Sequence, residues 1–125
     1  MFLPGGGIEL GEGAQDALRR ELYEELGVAC HITRFLGVLE THRYDEQGVM
    51  HHEISHLFEV KSDMLHAHHI PDSQEGHLTF QWIELETASL KQHNVLPPVL
   101  QDRLVDLIHH PAGSWITTFG AMNEV

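Results

Sequence analysis

The chain has 125 residues, an ordinary 42% apolar content and a formal charge of −12, which fits one domain with a single core. No apolar run is long enough to span a bilayer. The acidic balance argues against nonspecific binding to nucleic acid polymers or to an anionic membrane. The start, Met1-Phe2-Leu3-Pro4, has neither the basic nor the apolar region of a secretory signal. One cysteine, Cys30, excludes an internal disulfide and fits a reducing, cytoplasmic setting.

The first periodic stretch predicts a helix over 14–26. Ala14, Leu18, Leu22 and Leu26 recur at four-residue spacing, and Gly27 is placed to stop it. Residues 31–44 predict a strand, Asp45-Glu46-Gln47-Gly48 a hairpin turn, and 49–61 a returning strand whose Ile54, Phe58 and Val60 share a face with His56. Residues 62–76 read as loop. The alternation of Leu78, Phe80 and Trp82 predicts a third strand over 77–84, with Phe80 and Trp82 as core residues. A short helix is expected from Thr87 to His93. A longer one is expected over about 97–110, burying Leu100, Leu104, Leu107 and Ile108 and stopped by Pro111. The tail 113–125 carries Trp115, Ile116 and Phe119, more apolar surface than a free end usually shows. This order of helices and strands favours an α+β or α/β sandwich.

The helix carries an unusual charge set. Glu21, Glu24 and Glu25 fall within an arc of roughly 100° on a helical wheel, beside the Leu18 and Leu22 stripe. Glu21 and Glu25 are a like-charge i, i+4 pair, which costs an isolated helix a few tenths of a kcal/mol. A hard divalent cation with oxygen ligands reverses that sign. Ahead of the helix, Gly5, Gly6 and Gly7 allow close backbone approach and bring N–H groups towards a helix start, where anions are favoured. Taken alone, a glutamate-rich helix is more often a solvated face than a metal site.

The complete arrangement resembles a known motif. Gly6, Glu12, Arg20-Glu21-Leu22, Glu24-Glu25 and Gly27-Val28 match the Nudix box at all nine fixed positions over 23 residues. Pro4-Gly5-Gly6 and Glu9 also resemble the usual lead into it. The resemblance implies a Nudix-type α/β/α sandwich with a mixed sheet, spanning 1–125 as one domain with its box at 6–28. It implies hydrolysis of a nucleoside diphosphate linked to another moiety, with Mg²⁺ or Mn²⁺ held by helix carboxylates. By position, Glu21, Glu24 and Glu25 are the implied metal ligands, and Glu21 or Glu25 also touches the attacking water. The Gly5 carbonyl joins the metal shell, and Gly5 and Gly6 contact substrate. Arg20 orients the glutamates and pairs with Glu12. Glu75 stands where many relatives carry a further ligand or general base.

Other features are less specific. Tyr44 lies 16 residues after the box, near where some dinucleoside polyphosphate hydrolases carry a tyrosine. His51, His52 and His56, and His66, His68 and His69, form two clusters that fit surface or strand positions better than a transition-metal centre. Cys30 reads as a buried residue rather than a nucleophile. Two other functions compete with hydrolysis: a noncatalytic nucleotide-binding module, and a truncated or swapped interaction domain. The second arises because only three residues precede Pro4, where the family has at least one strand. It carries the expectation of a homodimer, with the tail or a second copy over the uncovered face.

Overall fold

The computed structural model describes residues 1–67, 69–110 and 114–119. Three helices and three strands follow in the order α1 (Ala14–Leu26), β1 (His31–Tyr44), β2 (Met50–Lys61), α2 (Thr87–Gln92), α3 (Val99–His109) and β3 (Ser114–Thr117). The sheet is mixed, in the order β2-β1-β3, and the whole is an α+β arrangement.

The hairpin of β1 and β2 is the frame. It closes where the Asp45 carboxylate accepts the N–H groups of Gln47 and Val49, both at 2.9 Å, and meets His51 Nε2 at 2.8 Å. An Asx-type turn of this kind needs an acceptor at the first turn position, and Asp45 supplies it. The antiparallel ladder runs from His31 opposite Lys61 to Tyr44 opposite Met50, with irregularities near Ile32/Arg34 and Phe35/Gly37.

β3 comes from the segment expected to be an apolar tail. It pairs in parallel with β1, from Gly37 opposite Ser114 to Glu40 opposite Thr117. Ile116 points into the core while Trp115 is exposed. Phe119 then lies between His42 and His52, with ring centroids 4.5 and 4.6 Å away. The rest of the tail, and Pro111 as a helix stop, lie outside the described residues.

Two apolar clusters hold these elements. Leu39 of β1 and Ile116 of β3 pack with Leu90, Val95, Leu100, Leu104 and Leu107 from α2, α3 and their connection. The α3 residues recur at helical spacing, so one face of that helix is buried. Leu22 and Leu26 of α1 form the second cluster with Val28 and Cys30, flanked by Val60 and Phe80. Cys30 is buried, and that burial raises its thiol pKa, which makes it an inert core residue.

The segment expected to form a strand over 77–84 does not. Among the described residues, neither the N–H nor the C=O of residues 79–85 makes a backbone–backbone hydrogen bond. Alternation records which side chains meet apolar surroundings; a strand also needs a second backbone about 4.8 Å away, and among the described residues none is hydrogen-bonded to this one. Phe80 packs against the α1 cluster. Trp82, expected in the core, is 46% exposed, and its indole N–H donates to the His69 carbonyl at 2.8 Å. Ile54, expected on a buried face, is exposed as well.

Candidate active site

The site is built on α1 and the two loops that reach it. Arg20 is its hub. Its Nε donates to Glu12 Oε2 at 3.1 Å and its Nη2 to Glu12 Oε1 at 2.7 Å. Nη1 donates to Glu21 Oε1 at 2.9 Å and to Glu24 Oε2 at 3.2 Å, and Nη2 also reaches the Gly7 carbonyl at 2.9 Å. The planar fork of a guanidinium can serve this many acceptors; an ammonium cannot. The guanidinium lowers the Glu12 pKa, and the carboxylates raise that of Arg20 in return.

Glu12 is fixed from its other side too. Its carboxylate accepts the Glu9 N–H at 2.8 Å, while its own N–H donates to the Glu9 carbonyl at 3.1 Å. This closed turn delivers the chain to the first turn of α1, which has no side-chain cap of its own. Glu9 adds a longer ion pair to Arg20, 3.7 Å.

Glu25 is different. It is the buried member of the set, 7% exposed, whereas Glu24 is exposed and Glu21 intermediate. Burial raises its pKa most, and the charges of Glu21, Glu75 and Glu24 raise it further. The nearby Gly5 backbone partly offsets those effects. Gly6 sits so close to the Glu21 carboxylate that a Cβ there would push that side chain aside, so glycine lets the loop and the carboxylate stay in contact.

Glu75 reaches the same place from a distant loop. Gln74 N–H donates to the Glu25 carbonyl at 2.7 Å, bringing the next residue beside the helix carboxylates. No hydrogen bond is made by the Glu75 carboxylate among the described residues; His77 Nε2 lies 3.6 Å from it. Four acidic side chains therefore converge where Arg20 compensates only part of the charge.

A cleft of about 630 Å³ opens next to the glycine loop. Gly5, Gly6 and Gly7 line it, together with residues 52–58 of β2, including His52 and His56. Tyr44, by contrast, lies at the far end of β1, exposed and in edge contact with His42; no contact joins it to the glutamates among the described residues. A second cleft of about 600 Å³ is mostly apolar and runs between Leu22 and Leu26 of α1, Val60, Phe80 and Trp82.

The family model described as NUDIX domain matches residues 1–103. The chain belongs to the Nudix domain family. Neither a curated protein nor a solved structure matches it.

A Nudix domain raises the question of a divalent cation, and the donor set can be judged for it. Carboxylates crowded beside a glycine loop, one of them buried and pushed towards protonation, suit a hard cation that prefers oxygen. The cage is not assembled in advance: among the described residues no three His, Cys, Asp or Glu side chains are grouped to hold a metal. Glu21 and Glu24 are turned to Arg20, and part of that network must reorient for a cation to enter. The oxygen-donor chemistry fits a hard cation, and the carboxylates are not grouped into a metal cage among the described residues.

No histidine groups with other ligands into a metal centre among the described residues. His51 serves the hairpin turn, His52 and His42 flank Phe119, and the His66 and His69 rings lie 5.4 Å apart. His68 lies outside the described residues. Sequence reasoning missed Gln74, whose main-chain N–H is the contributing group and leaves no mark in residue type.

Proposed function

We propose that the domain hydrolyses a nucleoside diphosphate linked to another moiety, using Mg²⁺ or Mn²⁺. The observation that carries this reading is the buried Glu25 carboxylate beside a glycine loop, its pKa raised first by burial and then by the charges of Glu21, Glu75 and Glu24. A pile of like charges of this kind is unfavourable unless a cation enters it.

Glu21, Glu24 and Glu25 would hold the cation, with the Gly5 carbonyl and Glu75 as further oxygen donors. When bound, it would neutralise the diphosphate and make the attacking water more acidic. The remaining work belongs to the protein. Gly5 and Gly6 admit the diphosphate close to the backbone. Arg20, itself held by Glu12, sets the directions of Glu21 and Glu24. The proton of the attacking water goes to a carboxylate of the set. Glu75 suits that task because Arg20 does not engage its side chain, and Glu21 and Glu25 are the other members that would touch this water. The cleft between the glycine loop and β2 has a volume suited to a nucleotide, and it meets the site through Gly5 and Gly6, since none of the four glutamates lines it. Tyr44 would meet a substrate only through parts distant from the diphosphate.

The setting is a cytoplasmic enzyme acting on a small anion. Cys30 is a free thiol, and no described helix is long and apolar enough to cross a membrane. The −12 charge disfavours nucleic acid polymers and anionic membranes. A homodimer is also proposed, supported by residues 79–85, an unpaired backbone row next to the apolar cleft.

The test is a panel of nucleoside diphosphate compounds incubated with Mg²⁺ or Mn²⁺, reading released nucleotide or phosphate. Metal-dependent release that disappears in chelator supports the reading. Tight binding without turnover across the panel would favour a noncatalytic nucleotide-binding module instead.

A further inference from the structure

Glu25 takes part in the site twice. Its carboxylate faces the other acidic groups, and its carbonyl accepts the Gln74 N–H at 2.7 Å. That carbonyl is one of the last four of α1, which have no partner within the helix. α1 ends at Leu26, and Gly27 turns the chain away in the left-handed conformation, φ 67°, while its N–H closes on the Tyr23 carbonyl at 2.8 Å. The turn exposes the end of the helix, and Gln74 covers it. The Gln74 side chain lies 3.6–3.7 Å from where a Gly27 Cβ would stand.

The loop beyond the contact is tied to itself. Ser73 Oγ accepts the Glu75 N–H at 3.2 Å and donates to the Glu75 carbonyl at 2.7 Å. Leu78 N–H also donates to that carbonyl, at 3.0 Å, and Gln74 Nε2 donates to the Asp72 carbonyl at 3.1 Å. The Glu75 main chain is therefore held on both sides while its carboxylate stays free of hydrogen bonds among the described residues. A fixed backbone whose carboxylate makes no hydrogen bond among the described residues, with only His77 Nε2 3.6 Å away, is how a donor is held ready for a ligand.

We propose that the Gln74 N–H, seated on the Glu25 carbonyl, is the positioning device that sets the Glu75 carboxylate against the helix carboxylates. The proposal rests on the metal-dependent reading above. It assigns Gln74 and Ser73 no contact with substrate; both act through Glu75. One bond separates the anchor from the residue it places, and consecutive Cα atoms are about 3.8 Å apart. Release of the anchor frees the carboxylate to move by ångströms.

Two substitutions separate the N–H from the side chain. Gln74→Ala keeps the N–H, and Gln74→Pro removes it. Mn²⁺ alone is the probe, with free Mn²⁺ read by electron paramagnetic resonance. Gln74→Pro should weaken Mn²⁺ binding about tenfold, the low end for loss of a ligand's support, and lower kcat with little change in KM. Gln74→Ala, which loses the Nε2 bond to the Asp72 carbonyl but keeps the N–H, should weaken Mn²⁺ binding and kcat less than Gln74→Pro, and equal losses in the two would overturn the proposal. In a Glu75→Gln background, Gln74→Pro should cost nothing further, because both act through one group. Losses that add in the double variant, or wild-type Mn²⁺ binding in Gln74→Pro, would overturn the proposal. If Gln74→Pro fails to fold, Ser73→Ala takes its place in the same cycle, where additive losses or wild-type Mn²⁺ binding overturn the proposal equally. Amide hydrogen exchange in chelator tests the anchor without metal: a Gln74 N–H that exchanges as fast as a free loop overturns it. Wild-type protein that binds Mn²⁺ no better than Glu25→Gln, with a protected Gln74 N–H, would instead refute the metal-dependent reading.

Discussion

Arg20 and Glu12 meet through two parallel hydrogen bonds, 2.7 and 3.1 Å, joining α1 to the turn in front of it. The same guanidinium holds Glu21 and Glu24. Removing it leaves those carboxylates without a common reference, but the apolar clusters do not depend on it. Arg20→Ala should therefore lower turnover by one to two orders of magnitude, about the effect of losing support for metal ligands, while the melting temperature falls little. Arg20→Lys should recover only part of the activity, since a single ammonium cannot reproduce the fork. Steady-state kinetics beside thermal melts make the comparison, and wild-type rates in Arg20→Lys would reduce the contact to a surface ion pair.

Glu25→Gln is nearly isosteric and removes a charge from the most crowded position. Activity should fall by at least about a hundredfold, the scale expected when a group acting directly on the reaction is lost. The fold should persist, because burying a neutral amide at this position relieves repulsion from Glu21, Glu75 and Glu24. Mn²⁺ should raise the melting temperature of the wild type and much less that of the variant. Full activity in Glu25→Gln, or in excess chelator, would refute the assignment of these carboxylates to a metal.

The pH dependence of stability without metal has a definite sign. Glu25 has its folded pKa raised above the ordinary value of 4.5 by burial first, then by its neighbours' charges. Between those two values the folded state keeps a proton that the unfolded chain has lost, so its contribution to stability is present at low pH and is lost as pH rises through the raised pKa. Glu12 and Glu59 have lowered values, from hydrogen bonds to Arg20 and Arg34, and act oppositely: their contribution is present above 4.5 and lost as pH falls. The difference between wild type and Glu25→Gln isolates the first effect. In chelator, wild type should lose stability relative to the variant as pH rises from 4.5, and Mn²⁺ should narrow that difference. Parallel melting curves across the whole range would contradict it.

What was legible in the sequence follows from range of interaction. α1, β1 and the hairpin turn depend on periodicity and on Asp45, all local, and they stand within a residue of where periodicity puts them. The convergence of Glu21, Glu24 and Glu25 is fixed by helix geometry alone. The Gln74–Glu25 contact is not, because it pairs an N–H and a C=O that every residue but proline carries. Residues 77–84 and 114–117 show the same limit from two sides. Leu78, Phe80 and Trp82 alternate without a partner strand, while Ser114–Thr117 gains one from β1. Pairing is a tertiary outcome, and alternation records only half of it.

The unpaired row over residues 79–85 leads to the last prediction. Trp82 and Leu85 are 46% and 43% exposed there, and the adjoining cleft is lined by Leu22, Leu26 and Phe80. A backbone that makes no backbone–backbone hydrogen bond among the described residues, beside apolar side chains, is a surface on which a second chain can add. Antiparallel pairing of this segment with its copy about a two-fold axis would satisfy both rows at once. Light scattering at micromolar concentration should accordingly report a dimer, and Trp82→Asp should shift it to monomer with an unchanged circular dichroism spectrum. Deleting residues 113–125 should act differently. It removes β3 and uncovers Leu39, so it should lower the melting temperature whether or not the dimer survives. A wild-type monomer, or a deletion variant as stable as the full chain, would refute the corresponding half of this prediction.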